Sequence, residues 1–213
     1  MKYFAALIVS LLSTAALAEA PPNFVFVLVD DLGRQDVGVY GSSLYETPNM
    51  DRLAADGMRF DNAYVAHPRC LPSRLAYLSG RYPASFGIPG FQDRKQTKHA
   101  LPLETVTFGE VLQRIGYRTL IAGKWHQSPL PTTRGFDRYY GLADGCCNFF
   151  NPGLEARAGE GPPGRKGKNR VRRWAIEDKV IMGYTNPDKE FYTTDAFTTY
   201  AIERLDEYKG EGK

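Results

Sequence analysis

The pattern of apolar and polar positions changes character several times along the chain, and each change predicts an element. "NFVFVLVDD" holds an unbroken apolar run over residues 24–29 that ends in Asp30 and Asp31, the pattern of a strand buried on both faces of a parallel sheet. Ligands of open α/β sheets gather at the carboxyl ends of strands, so the position of these two acids matters as much as their chemistry. "TPNMDRLAADGMRFDNAYV" predicts a short helix with Thr47 as N-cap, Pro48 first, Met50, Leu53 and Ala54 on one face, and Gly57 as its stop. A strand over residues 58–65 is expected to follow. "LPSRLAYLSGRYP" predicts a second helix that starts just after Cys70, with Pro72 in its first turn and Gly80 near its end. "LETVTFGEVLQRIGYRTLIAGKWH" predicts a helix over 106–115, a stop at Gly116 and a strand over 117–122 that opens into Gly123-Lys124-Trp125-His126. Strand and helix alternate, which predicts an α/β layered fold. From residue 143 to 189 periodicity fades into Gly, Pro and charge, the pattern of a long surface excursion. "YTTDAFTTYAIERLDEYKG" then predicts a closing helix, capped near Thr193, Thr194 or Asp195 and apolar at Phe197, Tyr200, Ala201 and Leu205.

Composition adds bounds. With 213 residues, 43% hydrophobic and 13% aromatic, the chain can bury a core and is one domain or part of a larger one. A formal net charge of +3 calls for neither nucleic acid nor an anionic membrane as partner. Residues 1–20, "MKYFAALIVSLLSTAALAEA", place Lys2 before an apolar run and then small residues, the arrangement of a cleaved signal peptide. The run is shorter than the roughly 20 residues that span a bilayer, so export to a periplasmic or secreted location is expected, without stable membrane insertion.

Three cysteines, Cys70, Cys146 and Cys147, do not make a disulfide framework. Neighbouring Cα atoms lie about 3.8 Å apart, short of the usual disulfide span, so Cys146 and Cys147 join only under strain. Cys70 is left unpaired in a chain with an export signal, where a thiol is either buried and inert or chemically employed.

Three places carry candidate chemistry. Asp30 and Asp31 repel each other unless a cation lies between them, and their oxygens suit Ca²⁺ or Mg²⁺; the alternative is a solvated turn. Cys70 and Arg74 are four apart, on one helix face, where Arg69, Arg74 and the helix N-terminus favour a thiolate or an oxyanion; the alternative is a buried structural cysteine. Lys124 and His126 are two apart and, in an extended segment, share a face on which a cation and a general acid or base converge; the alternative is a structural histidine. His67 and His99 have no such context. "RKGKNRVRR", residues 165–173, sets six basic side chains in nine positions, either a solvated loop or a collector of polyanions.

Together these stretches resemble the sulfatase family, of the alkaline-phosphatase-like superfamily. "CLPSR" at 70–74 is similar to that family's Cys-x-Pro-Ser-Arg core, "LSGRYP" at 78–83 continues it, and "GYRTLIAGKWH" at 116–126 fits its second signature. The "VDD" at 29–31 has the setting of its metal-binding strand end. The resemblance implies an α/β fold with a mostly parallel sheet flanked by helices, residues 21–213 being an incomplete N-terminal part of the catalytic domain. It implies hydrolysis of aryl or carbohydrate sulfate esters through a Cα-formylglycine made from Cys70 by a formylglycine-generating or anaerobic sulfatase-maturing enzyme. In that family one hydroxyl of the aldehyde hydrate attacks sulfur and the other expels the sulfate, which a serine cannot do. Carried over, Asp30, Asp31 and the modified Cys70 bind Ca²⁺, with Mg²⁺ an alternative. Arg74 and Lys124 stabilise charge on the transferring group, and His126 hydrogen-bonds the diol or assists its deprotonation. Ser73 belongs to the maturation sequence.

Leu71 and Arg69 depart from the small residues usual there, and the second metal-ligand pair, with a further His and Lys, is expected beyond this sequence. Two other readings remain: a phosphate or phosphonate ester hydrolase of the same fold, and a non-catalytic binder of sulfated glycans through residues 165–173.

Overall fold

The computed structural model of the chain describes residues 21–87, 101–153 and 172–211. The signal peptide expected at 1–20, most of the segment 86–99 that includes His99, and residues 165–171 of the basic run lie outside them. The chain divides into two compact units, Met1–Arg59 and Phe60–Lys213.

In the first unit, helix α1 (Pro48–Asp56) forms where expected, with Thr47 before it and Gly57 after it. The Thr47 hydroxyl does not cap the helix backbone. It accepts from the Gly38 amide at 2.8 Å and donates to Asp51 Oδ1 at 3.1 Å, while Asp51 Oδ1 also accepts from the Val39 amide at 2.7 Å. Helix α1 is thereby stitched to the 3₁₀ turn Gly38–Tyr40. The strand expected over 24–29 is not formed: among the described residues this run belongs to no ladder, and Val25 and Val27 are 80% and 75% exposed. An apolar run becomes a strand only where another edge takes its N–H and C=O groups.

The same departure recurs over residues 58–65, which form no strand among the described residues, Tyr64 being 87% exposed. Helix α2 (Cys70–Ser79) follows, closed by Gly80 in the left-handed region at φ 66, where a glycine carries no Cβ penalty. Helix α3 (Phe108–Arg114) begins with a capping box: the Thr107 hydroxyl accepts from the Glu110 amide at 3.0 Å and Glu110 Oε2 from the Thr107 amide at 2.9 Å.

Strands β1 (Leu120–Ala122), β2 (Arg138–Leu142), β3 (Arg173–Ile176) and β4 (Lys179–Met182) make one sheet in that order. Strands β1 and β2 run parallel, Ile121 beside Tyr139, whereas β2–β3 and β3–β4 are antiparallel. The α/β class stands, and the described part of its sheet is mixed. The surface excursion expected over 143–189 is corrected by β3 and β4. Trp174 and Ala175 are buried there at 1% and 0% exposure, and the polar turn Glu177–Asp178 conceals the hairpin.

Helix α4 (Thr193–Gly210) closes the unit. Leu75 and Leu78 of α2 pack with Leu101, Trp125, Phe136, Tyr139 and Ala175 in the main core. Trp174, Leu142 and Phe191 form a second cluster, with Trp174 stacked between Tyr184 and Phe197 at 4.8 and 5.5 Å. Among the described residues no helix is long and apolar enough to cross a membrane.

Candidate active site

Cys70 is the first residue of α2, half-buried, its thiol in no disulfide. Arg69 is extended at φ −97, ψ 142. Its amide donates to His67 Nδ1 at 3.0 Å, and its carbonyl accepts from Ser73 at 3.0 Å, closing the first turn. Cys70 therefore lies at the positive end of the helix. One turn on, Arg74 is 5% exposed. Its Nη1 donates to the main-chain oxygen of Lys124 and, at 3.5 Å, to the Tyr77 hydroxyl. Burial pushes the Tyr139 phenol far above its ordinary range, opposed by the nearby charges of Arg74 and Arg173.

The segment after β1 continues alongside β2: Gly123 donates to the Tyr140 carbonyl and Trp125 to that of Leu142, both at 2.8 Å. A Cβ on Gly141, at φ 150, would fall 2.0 Å from the Gly123 oxygen, so the two backbones touch here because that residue is glycine. Gly123, Trp125 and Gln127 are buried, with Lys124 and His126 half-buried between them. Burial alternates here with period two, and Lys124 and His126 both fall on its less buried positions. The extended conformation ends at His126, whose φ of 53 turns the chain away. Gln127, 3% exposed, donates from Nε2 to the Leu71 carbonyl at 2.8 Å. Helix α2 and the segment 124–127 are consequently joined at two levels, Arg74 to Lys124 and Gln127 to Leu71.

A third wall comes from residues 143–147. Ala143 donates to the Arg173 carbonyl at 3.0 Å. Asp144 accepts from the Arg173 amide at 2.7 Å and from its Nε at 2.9 Å. Gly145 packs on the His126 imidazole. Burial pushes the Cys147 thiol up to about 11, with Cys146 adding to the rise and the charges of Arg172 and Lys124 opposing it. Gln127, Tyr139 and Gly145 escaped sequence reasoning. Each acts through a contact distant in sequence, and a lone glutamine or glycine carries no local signal.

Asp30 and Asp31 belong to the first unit, on an exposed turn in which Asp31 has φ 58. Two adjacent carboxylates fit a hard cation, which takes six to eight oxygen ligands. They would make only part of such a shell, and among the described residues no three His, Cys, Asp or Glu side chains gather into a site. Arg172 and Arg173 are the described end of the basic run. Arg173 is committed to Asp144, a structural pairing.

The family model described as Sulfatase matches residues 22–209, and the chain belongs to the sulfatase family. It is 46% identical over 136 residues to arylsulfatase A of Homo sapiens, which covers 60% of this chain and 27% of that protein. It is 39% identical over 148 residues to N-acetylgalactosamine-6-sulfatase of Rattus norvegicus, covering 63% of this chain and 28% of that protein. The crystal structure of Ps i-CgsB superposes with a TM-score of 0.66 at 32% identity, over 88% of this chain and 42% of that one. The structure of BT4656 in complex with its substrate D-glucosamine-2-N,6-O-disulfate gives a TM-score of 0.61 at 31% identity, over 87% of this chain and 31% of that one. The chain thus spans little more than a quarter of the length of these two curated relatives.

Proposed function

We propose that this chain is the N-terminal catalytic portion of an exported sulfate ester hydrolase whose nucleophile derives from Cys70. The observation that carries the reading is the joining of the Cys70 helix to the Lys124–His126 segment through Arg74 and Gln127. It sets a cysteine at a helix N-terminus, a buried guanidinium and a lysine–histidine pair on directly bonded elements. In support, relatives named as arylsulfatases and an N-acetylgalactosamine-6-sulfatase share the stretch, and BT4656 is described with a sulfated glucosamine as substrate.

Oxidation of Cys70 to formylglycine by a maturing enzyme would supply an aldehyde hydrate with two hydroxyls, and Asp30 and Asp31 would contribute carboxylate oxygens to a Ca²⁺ or Mg²⁺ ion, whose chemistry would be that of a Lewis acid. The remaining roles belong to ordinary side chains. The helix N-terminus at Cys70 orients positive potential toward an anionic group. Lys124 places an ammonium opposite the sulfate, worth more in a partly desolvated site than in water. His126 has the chemistry to accept a proton from a hydroxyl or return one to the leaving alcohol. Arg74 contributes its charge from within the fold while its Nη1 fixes the Lys124 backbone, so one residue sets both field and geometry.

The substrate class is an aryl or carbohydrate sulfate, with a sulfated sugar supported by the substrate named for BT4656. The test is sulfate release by the chain co-expressed with a maturing enzyme, assayed on an aryl sulfate, a sulfated monosaccharide and the matching phosphate ester. Turnover of a sulfate ester that is lost in Cys70→Ala supports the reading. Preference for the phosphate ester, or activity independent of Cys70, contradicts it.

A further inference from the structure

We infer that Gly145 is a positioning residue for His126: the absence of a side chain there lets the imidazole occupy its place beside Lys124, and any Cβ evicts it. The inference rests on the role proposed for His126 in sulfate transfer, and concerns how the chain enforces that role. A Cβ at Gly145 would lie 2.4 Å from His126 Cε1, 2.5 Å from Nε2 and 3.0 Å from Nδ1. Carbon and nitrogen do not approach so closely without bonding, so one of the two must move.

Glycine is not required here by the backbone. The φ of Gly145 lies outside the left-handed region, unlike that of Gly123, Gly135 or Gly141. Alanine meets no left-handed penalty here, and the three atoms nearest its Cβ all belong to the His126 imidazole.

The wall cannot yield. Asp144 is gripped by the Arg173 amide and guanidinium at 2.7 and 2.9 Å, and Ala143 pairs with the Arg173 carbonyl. The His126 backbone is held as firmly. Trp125, fully buried, donates from its indole to Pro129 at 2.7 Å and from its amide to Leu142. Gln127 on the other side reaches Leu71. With both backbones fixed, the relief open to the structure is rotation of the imidazole out of its place.

The test uses the full chain as Gly145→Ala, His126→Ala and the double variant. Carbethoxylation of His126 by diethylpyrocarbonate is followed by mass spectrometry, with the His67 peptide as internal reference, alongside equilibrium unfolding in urea. The expected result is a several-fold faster modification of His126 in Gly145→Ala with His67 unchanged, and a stability loss from Gly145→Ala that vanishes in the His126→Ala background. In matured, active protein kcat falls about 10²-fold, the scale of a misplaced catalytic group, with KM changed far less. Unchanged His126 reactivity, with the same stability loss in both backgrounds, overturns the inference. If Gly145→Ala does not fold, recovery of folding in the double variant supports it, and failure of both variants overturns it. Lack of turnover by the unsubstituted chain counts against the proposed activity instead, and the labelling and unfolding results still decide the placement of His126.

Discussion

Arg74, buried within α2, donates a hydrogen bond from Nη1 to the main-chain oxygen of Lys124, fifty residues further along the chain. A charged donor so placed resists removal, because its loss strands a carbonyl in the interior. Arg74→Ala is expected to lower stability by about 2–3 kcal/mol in urea unfolding, and Arg74→Lys to recover only part of it, since an ammonium cannot reproduce the guanidinium fork. Equal stability of Arg74→Ala and the parent chain would show that this bond does not hold α2 to the segment.

Gln127 makes the second join. Gln127→Ala removes the bond to the Leu71 carbonyl and is expected to destabilise by about 1 kcal/mol, an increment readable from the urea midpoint at unchanged m-value. A double variant with Arg74→Ala should depart from additivity, because both bonds fasten the same helix to the same segment.

The Thr107 hydroxyl serves two masters, accepting from Glu110 and donating to the Arg134 carbonyl at 2.8 Å. Thr107 is fully buried. Thr107→Ala should therefore cost about 1–2 kcal/mol, and Thr107→Ser much less, because serine keeps the hydroxyl. Thermal unfolding of the two variants separates the hydroxyl from the methyl.

The raised Cys147 thiol gives a pH prediction. With its pKa pushed up to about 11 by burial, roughly one molecule in 10³ carries the thiolate at pH 8, so iodoacetamide should label exposed Cys146 well before Cys147. The folded state keeps this proton above the ordinary thiol pKa of about 8.5. The group's contribution to stability is thus fully present below that pH and declines as pH rises toward 11. Peptide mapping after timed alkylation at pH 8 and pH 10 checks the labelling order, and urea unfolding of the parent chain and Cys147→Ala at the same two pH values checks the stability trend.

Helix α2 was legible in the sequence nearly to the residue, since Pro72 in the first turn and Gly80 after the last are local signals with local causes. The sharing of one face by Lys124 and His126 was an expectation from their spacing of two, and burial alternates with that period from Gly123 to Gln127. The hairpin β3–β4 was not legible. A two-residue hairpin turn ordinarily asks for glycine or asparagine, whereas here Glu177 sits at φ 55. Its carboxylate accepts from the Tyr200 hydroxyl at 2.6 Å and the Tyr139 amide at 3.1 Å. Tertiary bonds do the work of the missing turn residue, and no local pattern encodes them. The run 24–29 errs the other way: its pattern reads as a buried strand, and pattern alone does not provide the ladder that makes one.

The same division applies to the candidate site. Cys70, Arg74, Lys124 and His126 were visible as residue types at telling spacings. What joins them, Gln127 to Leu71 and Gly145 against His126, emerges only from the fold.

The most direct measurement is mass spectrometry of the tryptic peptide that holds Cys70, from chain co-expressed with a formylglycine-generating or anaerobic sulfatase-maturing enzyme. The expected result is an aldehyde in place of the thiol at residue 70 in a substantial fraction of molecules, trapped as a hydrazone by an added hydrazine. An unmodified Cys70 thiol throughout, under conditions in which the maturing enzyme converts a control sulfatase, would contradict the proposal.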